Sequence, residues 1–238
     1  MAIFFIVLLA IALVALLSAV IWFLKYLDGF VAEERRSRII GFSLMNKDAR
    51  PGQVVFVGDS ITDGFRVSEF FEGFASRTGK STYNRGISGE FSNEMLSRFE
   101  DNILSLKPSC VVILMGTNDL HKKTAPADIA GNIEETLAMA SRQGVERVIL
   151  QAVYPVNTTK GGKVLSRTVG KGRTVERIAE LNSLLEKAAS KHGAVWLDLS
   201  KELSSAPGVL NPDYSFDGLH LTAAGYAVVA GKIEPLLV

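Results

Sequence analysis

The sequence predicts an α/β domain on a parallel β-sheet covered by helices on both faces, preceded by one N-terminal transmembrane helix. Three observations predict it. Short apolar runs stop at Gly- or Pro-containing turns, segments of helical period separate those runs, and residues 2–24 are apolar throughout except for Ser18. Strands that alternate with helices pair in parallel, and a parallel sheet needs cover on both faces. The 238 residues allow one domain of ordinary size with a short appendage.

The first element is the apolar run. At about 1.5 Å per helical residue it covers roughly 34 Å, enough to cross a hydrocarbon core of about 30 Å. A cleaved signal peptide has a basic start, an apolar stretch of about 7–15 residues and a small-x-small cleavage site. Here no Lys or Arg precedes the run, the run is longer, and Leu17-Ser18-Ala19 is a poor cleavage site. A core helix carries a polar stripe, and this segment has none. Residues 1–24 therefore read as an uncleaved single-pass anchor. Lys25, Arg35, Arg36 and Arg38 follow it, and the positive-inside rule places that flank and the domain behind it in the cytoplasm. A lone Cys110 fits a reducing compartment. Exported bacterial proteins also lack disulfides, so a periplasmic or extracellular domain stays open.

Residues 25–50 are mixed, charged and weakly periodic, and they end at Pro51-Gly52. They read as a juxtamembrane tether with room for helical stretches, and residues 51–238 as the α/β domain. Val54-Val55-Phe56-Val57 is a buried-strand run that meets Gly58-Asp59-Ser60. A weaker strand lies near Thr82-Tyr83-Asn84. Residues 111–115 form the next run and stop at Gly116-Thr117-Asn118-Asp119; residues 148–153 stop at Tyr154-Pro155, and residues 195–199 form the last. Helical spacing of apolar positions marks residues 93–106, 127–143, 175–192 and 223–236, with Gly193 as a C-cap. Parallel sheets bind ligands beyond the carboxyl ends of their strands. Both polar motifs sit at such ends, so the pattern brings them to one rim.

Residues 157–173 carry Lys160, Lys163, Arg167, Lys171 and Arg173 with four glycines, and read as a long basic loop near that rim. A solvated loop accounts for it slightly better than a substrate-binding role. The net charge of +1 gives no basic excess for nucleic acid. His121, His192 and His220 are far apart in sequence, and none forms a paired metal-ligand motif. No metal and no cofactor are expected.

A serine hydroxyl is a weak nucleophile until a base takes its proton. Ser60 lies one residue past a buried strand. The credible base is His220, in Asp217-Gly218-Leu219-His220, with Asp217 close enough in sequence to hold the imidazole in one tautomer. Alone, a Ser at a strand end is usually a turn or cap residue. Ester cleavage also needs donors for the developing oxyanion. Asn118 offers a side-chain amide, Gly86 in Asn84-Arg85-Gly86-Ile87-Ser88-Gly89 a backbone N–H, and Ser60 its own N–H.

These segments resemble the four signature blocks of the SGNH, or GDSL-type, hydrolase family. Gly58-Asp59-Ser60-Ile61 is similar to the nucleophile block, with Ile61 where the name-giving motif has Leu. Gly86 matches the second block, Gly116-Thr117-Asn118-Asp119 the third and Asp217-Gly218-Leu219-His220 the last, in the family's order. The likeness covers about residues 53–236. It implies a flavodoxin-like three-layer α/β/α sandwich and acyl-ester hydrolysis without metal or cofactor. The blocks look most like the branch of platelet-activating-factor acetylhydrolase-like and carbohydrate-ester hydrolases, which implies a lipid, carbohydrate or other small ester with a short, acetyl-type acyl group. Lysophospholipase, thioesterase or O-acyltransferase activity would use the same residues, and a non-catalytic membrane scaffold would need none of them.

Other residues invite weaker readings. Ser88 lacks the Gly-x-Ser-x-Gly spacing of a nucleophile elbow. Residues 73–81 end in Gly79-Lys80-Ser81 but have five residues between their glycines where a phosphate loop needs four. His121 reads as an exposed loop residue near the rim, and His192 as a helix-end residue favoured by the dipole. Asp59, Asp63 and Asp119 read as hydrogen-bonding groups of their turns.

Overall fold

The computed structural model of the chain describes residues 1–160 and 162–237. Gly161, in the basic segment, and Val238 lie outside the described residues. The chain divides into two compact units, residues 1–41 and 42–238.

The first unit lies on one helix, Ala2–Met45. It is long and apolar enough to span a membrane, and its apolar side chains, among them Phe5, Leu9 and Trp22, are exposed. The helix does not stop after Leu24. Residues 25–45 contain no proline to break it.

The second unit starts inside the stretch expected to be tether. Phe42 is buried, and the Arg85 guanidinium stands 4.9 Å over its ring. Asn46 Oδ1 accepts from Arg85 Nε (3.3 Å) and Nη2 (2.8 Å), while its Nδ2 donates to the Asn102 carbonyl (3.0 Å). The domain therefore begins near residue 42, nine residues before the Pro51 boundary. The sequence hides this because the partners of Phe42 and Asn46 lie about forty or more residues away.

Five parallel strands form the sheet: β1 (Val54–Gly58), β2 (Thr82–Asn84), β3 (Cys110–Leu114), β4 (Arg147–Gln151) and β5 (Val195–Leu197). Their order is β2-β1-β3-β4-β5. Successive side chains alternate between faces. Val55, Val57, Val111 and Ile113 pack with Met95, Phe99, Ile133 and Leu181 of helices Ser92–Asn102, Pro126–Arg142 and Val175–Lys191. Val54, Phe56, Val112 and Leu114 pack on the other face with Phe71, Phe74 and Val229, the last from helix Ala223–Ile233. Burial on both faces explains why the strands read as unbroken apolar runs. The result is a three-layer α/β/α sandwich with the flavodoxin-like strand order, whose switch point lies between β1 and β3.

Two segments differ from expectation. Residues 162–170 of the basic segment form a helix, Gly162–Gly170, with Val169 buried and Leu165, four residues earlier on the same face, packed on the core. Residues 73–81, whose glycine spacing does not suit a phosphate loop, include the end of helix Glu72–Thr78 and its cap Gly79. The short antiparallel pair Ser204–Ala206 and Val209–Leu210 went unanticipated, being too brief to show a period.

Candidate active site

Two neighbouring strands end at the site. β1 leads through Asp59 into the single helical turn Ser60–Asp63, and β3 leads through Gly116 into helix Thr117–His121. Gly58 permits the first exit, because a Cβ there would come within 2.2 Å of the Leu114 carbonyl. Asp59 caps the Ser60 turn, its Oδ1 accepting the Ile61 N–H at 2.9 Å. Tyr226 OH donates to the Ile61 carbonyl (2.7 Å), tying the turn to the C-terminal helix.

His220 arrives from the far end of the chain on a loop that braces itself. Asp217 Oδ1 accepts the backbone N–H groups of Leu219 (2.9 Å) and His220 (2.8 Å), and its Oδ2 meets His220 Nδ1 at 2.6 Å. Ser215 Oγ donates to the His220 carbonyl (2.7 Å), and Asn157 N–H donates to the Gly218 carbonyl (2.7 Å). The other ring nitrogen, Nε2, is 2.8 Å from Ser60 Oγ. Partial burial alone would raise the Asp217 pKa, but the bonds from the His220 ring and from the two N–H groups hold it below the ordinary value. A carboxylate kept ionised on Nδ1 leaves Nε2 facing Ser60 as the proton acceptor. The structure thus brings together Ser60, Asp217 and His220.

Asn118 also reaches the rim. Its Nδ2 donates to the Glu90 carbonyl (3.1 Å), and its Oδ1 accepts from Arg173 Nη2 (3.3 Å). An amide nitrogen carries two N–H groups, so one bond to Glu90 leaves a second. The Ser60 N–H opens a helical turn and has no acceptor within it.

Gly86 lies beside the Ser60 turn, and its N–H donates to Asn84 Oδ1 at 2.8 Å. The glycine is also required sterically: a Cβ would come within 2.4 Å of the Asp63 nitrogen, so only glycine lets this loop close on the Ser60 turn.

Two of the remaining carboxylates bond to a distant segment of the chain, not within their own turns as expected. Asp63 accepts the Ser88 hydroxyl (2.7 Å), and Asp119 accepts the Ser92 hydroxyl (2.6 Å) and N–H (3.1 Å). Asp59 is fully buried, and its Oδ2 has no hydrogen-bond partner among the described residues. Burial pushes its carboxyl up to about 7, against the lowering effects of the Ile61 N–H, His220 and Arg173. Nothing in the sequence signals this environment. Arg173 was also missed. It is 5% exposed, and burial lowers its pKa. His121 Nδ1 lies 3.4 Å from Arg173 Nη1, and burial followed by the charges of Arg173 and Lys171 lowers the imidazole pKa. His192 caps helix Val175–Lys191 and lies near Glu134. The Cys110 thiol, buried in β3, is pushed up to about 12 by burial and is inert as a nucleophile.

A cavity of about 520 Å³ opens over Ser60 and His220, with Asp63 and Ser88 among its polar walls and Phe216 and Leu221 among its apolar ones. The Phe216 ring is exposed and stacks on the His220 imidazole, centroids 5.9 Å apart. A second cavity of about 330 Å³, against Ile178 and Trp196, contains none of the three bonded residues. Among the described residues no group of three or more His, Cys, Asp or Glu side chains could hold a metal ion.

A serine just past a buried strand, bonded to a carboxylate-braced histidine beneath an open cavity, is equipped for acyl transfer. Residues 56–228 match the model of the GDSL-like lipase/acylhydrolase family, and the chain belongs to that family. It is a carboxylic ester hydrolase by class. Over 199 residues it is 29% identical to the human platelet-activating factor acetylhydrolase IB subunit alpha2, covering 82% of this chain and 80% of that protein. A GDSL-like lipase from Bacteroides thetaiotaomicron superposes with a TM-score of 0.69 at 27% identity, over 84% of this chain and 96% of its own. A Streptococcus pneumonia protein shares the fold with a TM-score of 0.80 at 24% identity, over 90% and 98% of the two chains.

Proposed function

We propose that the chain hydrolyses short-acyl carboxylic esters through an acyl-enzyme on Ser60. The carrying observation is the unbroken series Ser60 Oγ, His220 Nε2, His220 Nδ1, Asp217 Oδ2, with contacts of 2.8 Å and 2.6 Å, at the base of an open cavity. His220 takes the Ser60 proton as Oγ attacks the ester carbonyl, and Asp217 stabilises the resulting imidazolium. The Ser60 N–H and the second Asn118 N–H hold the oxyanion. The C–O bond to the alcohol breaks, and the alcohol leaves with the proton from His220. Water then attacks the acyl-enzyme by the same route, gives its proton to His220, and releases the acid as Ser60 recovers a proton.

The short-acyl preference is supported by the acetylhydrolase relatives. A series of p-nitrophenyl esters from acetate to palmitate should give its highest kcat/KM at the short end; a maximum at palmitate would assign the enzyme to long chains. Ser60→Ala should lower kcat by a factor of about 10⁴–10⁶. A fluorophosphonate should label the wild type and not the variant, and labelling at Ser88 would move the nucleophile there. Helix Ala2–Met45 supports the further reading of a single-pass anchor, with the basic flank favouring a cytoplasmic domain.

A further inference from the structure

Arg173 follows helix Gly162–Gly170, and its side chain turns inward to the end of β3. Nε donates to the Thr117 carbonyl (2.9 Å) and hydroxyl (3.0 Å), and Nη1 to the Val169 carbonyl (3.0 Å). Nη2 donates to Asn118 Oδ1 (3.3 Å), and Nη1 lies against His121 Nδ1. One guanidinium thus grips the backbone before Asn118 and the side chain of Asn118 itself. We propose that Arg173 is the positioning residue of the oxyanion hole, fixing which end of the Asn118 amide faces the reacting carbonyl. This rests on the reading of Asn118 as an oxyanion donor.

The argument is one of donors and acceptors. A side-chain amide can turn over about its last torsion at little steric cost, exchanging O for NH2. Turned the wrong way, Asn118 would present a lone pair to the developing negative charge and catalysis would lose a donor. A guanidinium has only donors, so it can donate to the Asn118 carbonyl and cannot pair with the NH2 end. The Glu90 carbonyl, an acceptor only, makes the complementary selection at Nδ2. The amide is held in one orientation from both ends. The cation also draws density toward Oδ1, which strengthens the remaining N–H as a donor. Arg177 provides an internal comparison. It grips the same turn, donating to the Leu120 (3.1 Å) and Thr124 (2.6 Å) carbonyls, and has no bond to Asn118.

The test is a double-mutant cycle on the full chain in detergent, with p-nitrophenyl acetate as substrate. Asn118→Ala should lower kcat by about 10²–10³. Arg173→Met should lower kcat by about 10² with KM changed less than about threefold, and Arg173→Lys, which keeps charge but not the fork, should recover part of the loss. In the Asn118→Ala background, Arg173→Met should cost less than about threefold more, because the residue acts through an amide that is no longer present. Arg177→Met should lower the melting temperature and leave kcat within about threefold. A further loss near 10² from Arg173→Met on top of Asn118→Ala would overturn the proposal while leaving Asn118 as a donor. An Asn118→Ala enzyme with unchanged kcat would overturn both. Should Arg173→Met not fold, Arg173→Lys completes the cycle: the loss it causes in the wild type should largely vanish beside Asn118→Ala, and an undiminished loss there would overturn the proposal.

Discussion

A carboxyl group with no contact to solvent sits one residue before Ser60, and its charge state governs how stability varies with pH. The Asp59 carboxyl titrates near 7 in the folded protein and near 3.8 when unfolded. Between those values the folded chain holds a proton that the unfolded chain has released, so stability falls as pH rises. The contribution is fully present below about pH 4 and lost by about pH 7, and a displacement of that size is worth on the order of 4 kcal/mol. Asp59→Asn keeps an acceptor for the Ile61 N–H and cannot ionise. Melting curves from pH 4 to 8 should therefore show the wild type losing stability relative to Asp59→Asn; parallel curves would mean that Asp59 is ionised when folded. Residues of this kind set the limit of what the sequence discloses. Ser60 follows an apolar run, and Asp217 and His220 are three residues apart, so their chemistry can be read locally. Asp59 looks like any turn aspartate because its burial comes from Tyr154, Leu114 and other residues distant in the chain. Gly86 was legible as an N–H donor, but its steric necessity against the Asp63 backbone was not.

Secondary elements with a long apolar period were legible, and those defined by a few long-range bonds were not. Four of the five strands announce themselves as apolar runs, and β2 gives only a weak sign. Helix Gly162–Gly170 carries glycines and basic residues that suit a loop, and only the placement of Leu165 and Val169 against the core shows why it folds. The end of helix Ala2–Met45 has a practical consequence. Phe42 and Asn46 are partners of Arg85, which otherwise faces Tyr83 at 5.4 Å with its charge partly buried. Burying a Phe is worth about 2–3 kcal/mol, and leaving a buried polar group unpaired costs about as much again. Removing residues 1–41 should give a protein as stable as the domain in the full chain. Removing residues 1–50 should lower its melting temperature by about 5–15 °C. Equal melting temperatures for the two truncations would mean that residues 42–50 contribute nothing to the fold.

At the scale of the molecule, a segment suited to hydrocarbon precedes a domain suited to water. The intact chain should sediment with membranes and resist extraction by carbonate or high salt, whereas the chain lacking residues 1–41 should remain in the supernatant. The basic residues after the apolar segment predict that protease added to sealed cells spares the domain until detergent is present. Digestion in sealed cells would place it on the outer side, and a mature protein beginning near Val20 would make the segment a signal sequence. Within the domain, the two groups proposed to act on the same carbonyl hang from adjacent strands whose pairing, Gly58 opposite Leu114, admits no slip. Parallel neighbours lie about 4.8 Å apart whatever side chains they carry. The attacking oxygen and its electrostatic counterpart are therefore mounted on one ruler, and drift in the surrounding layers displaces them together. Heritable variation can rewrite the loops that wall the cavity while that spacing is kept. Laboratory selection for new substrates should accordingly accumulate changes in those loops and leave β1 and β3 untouched.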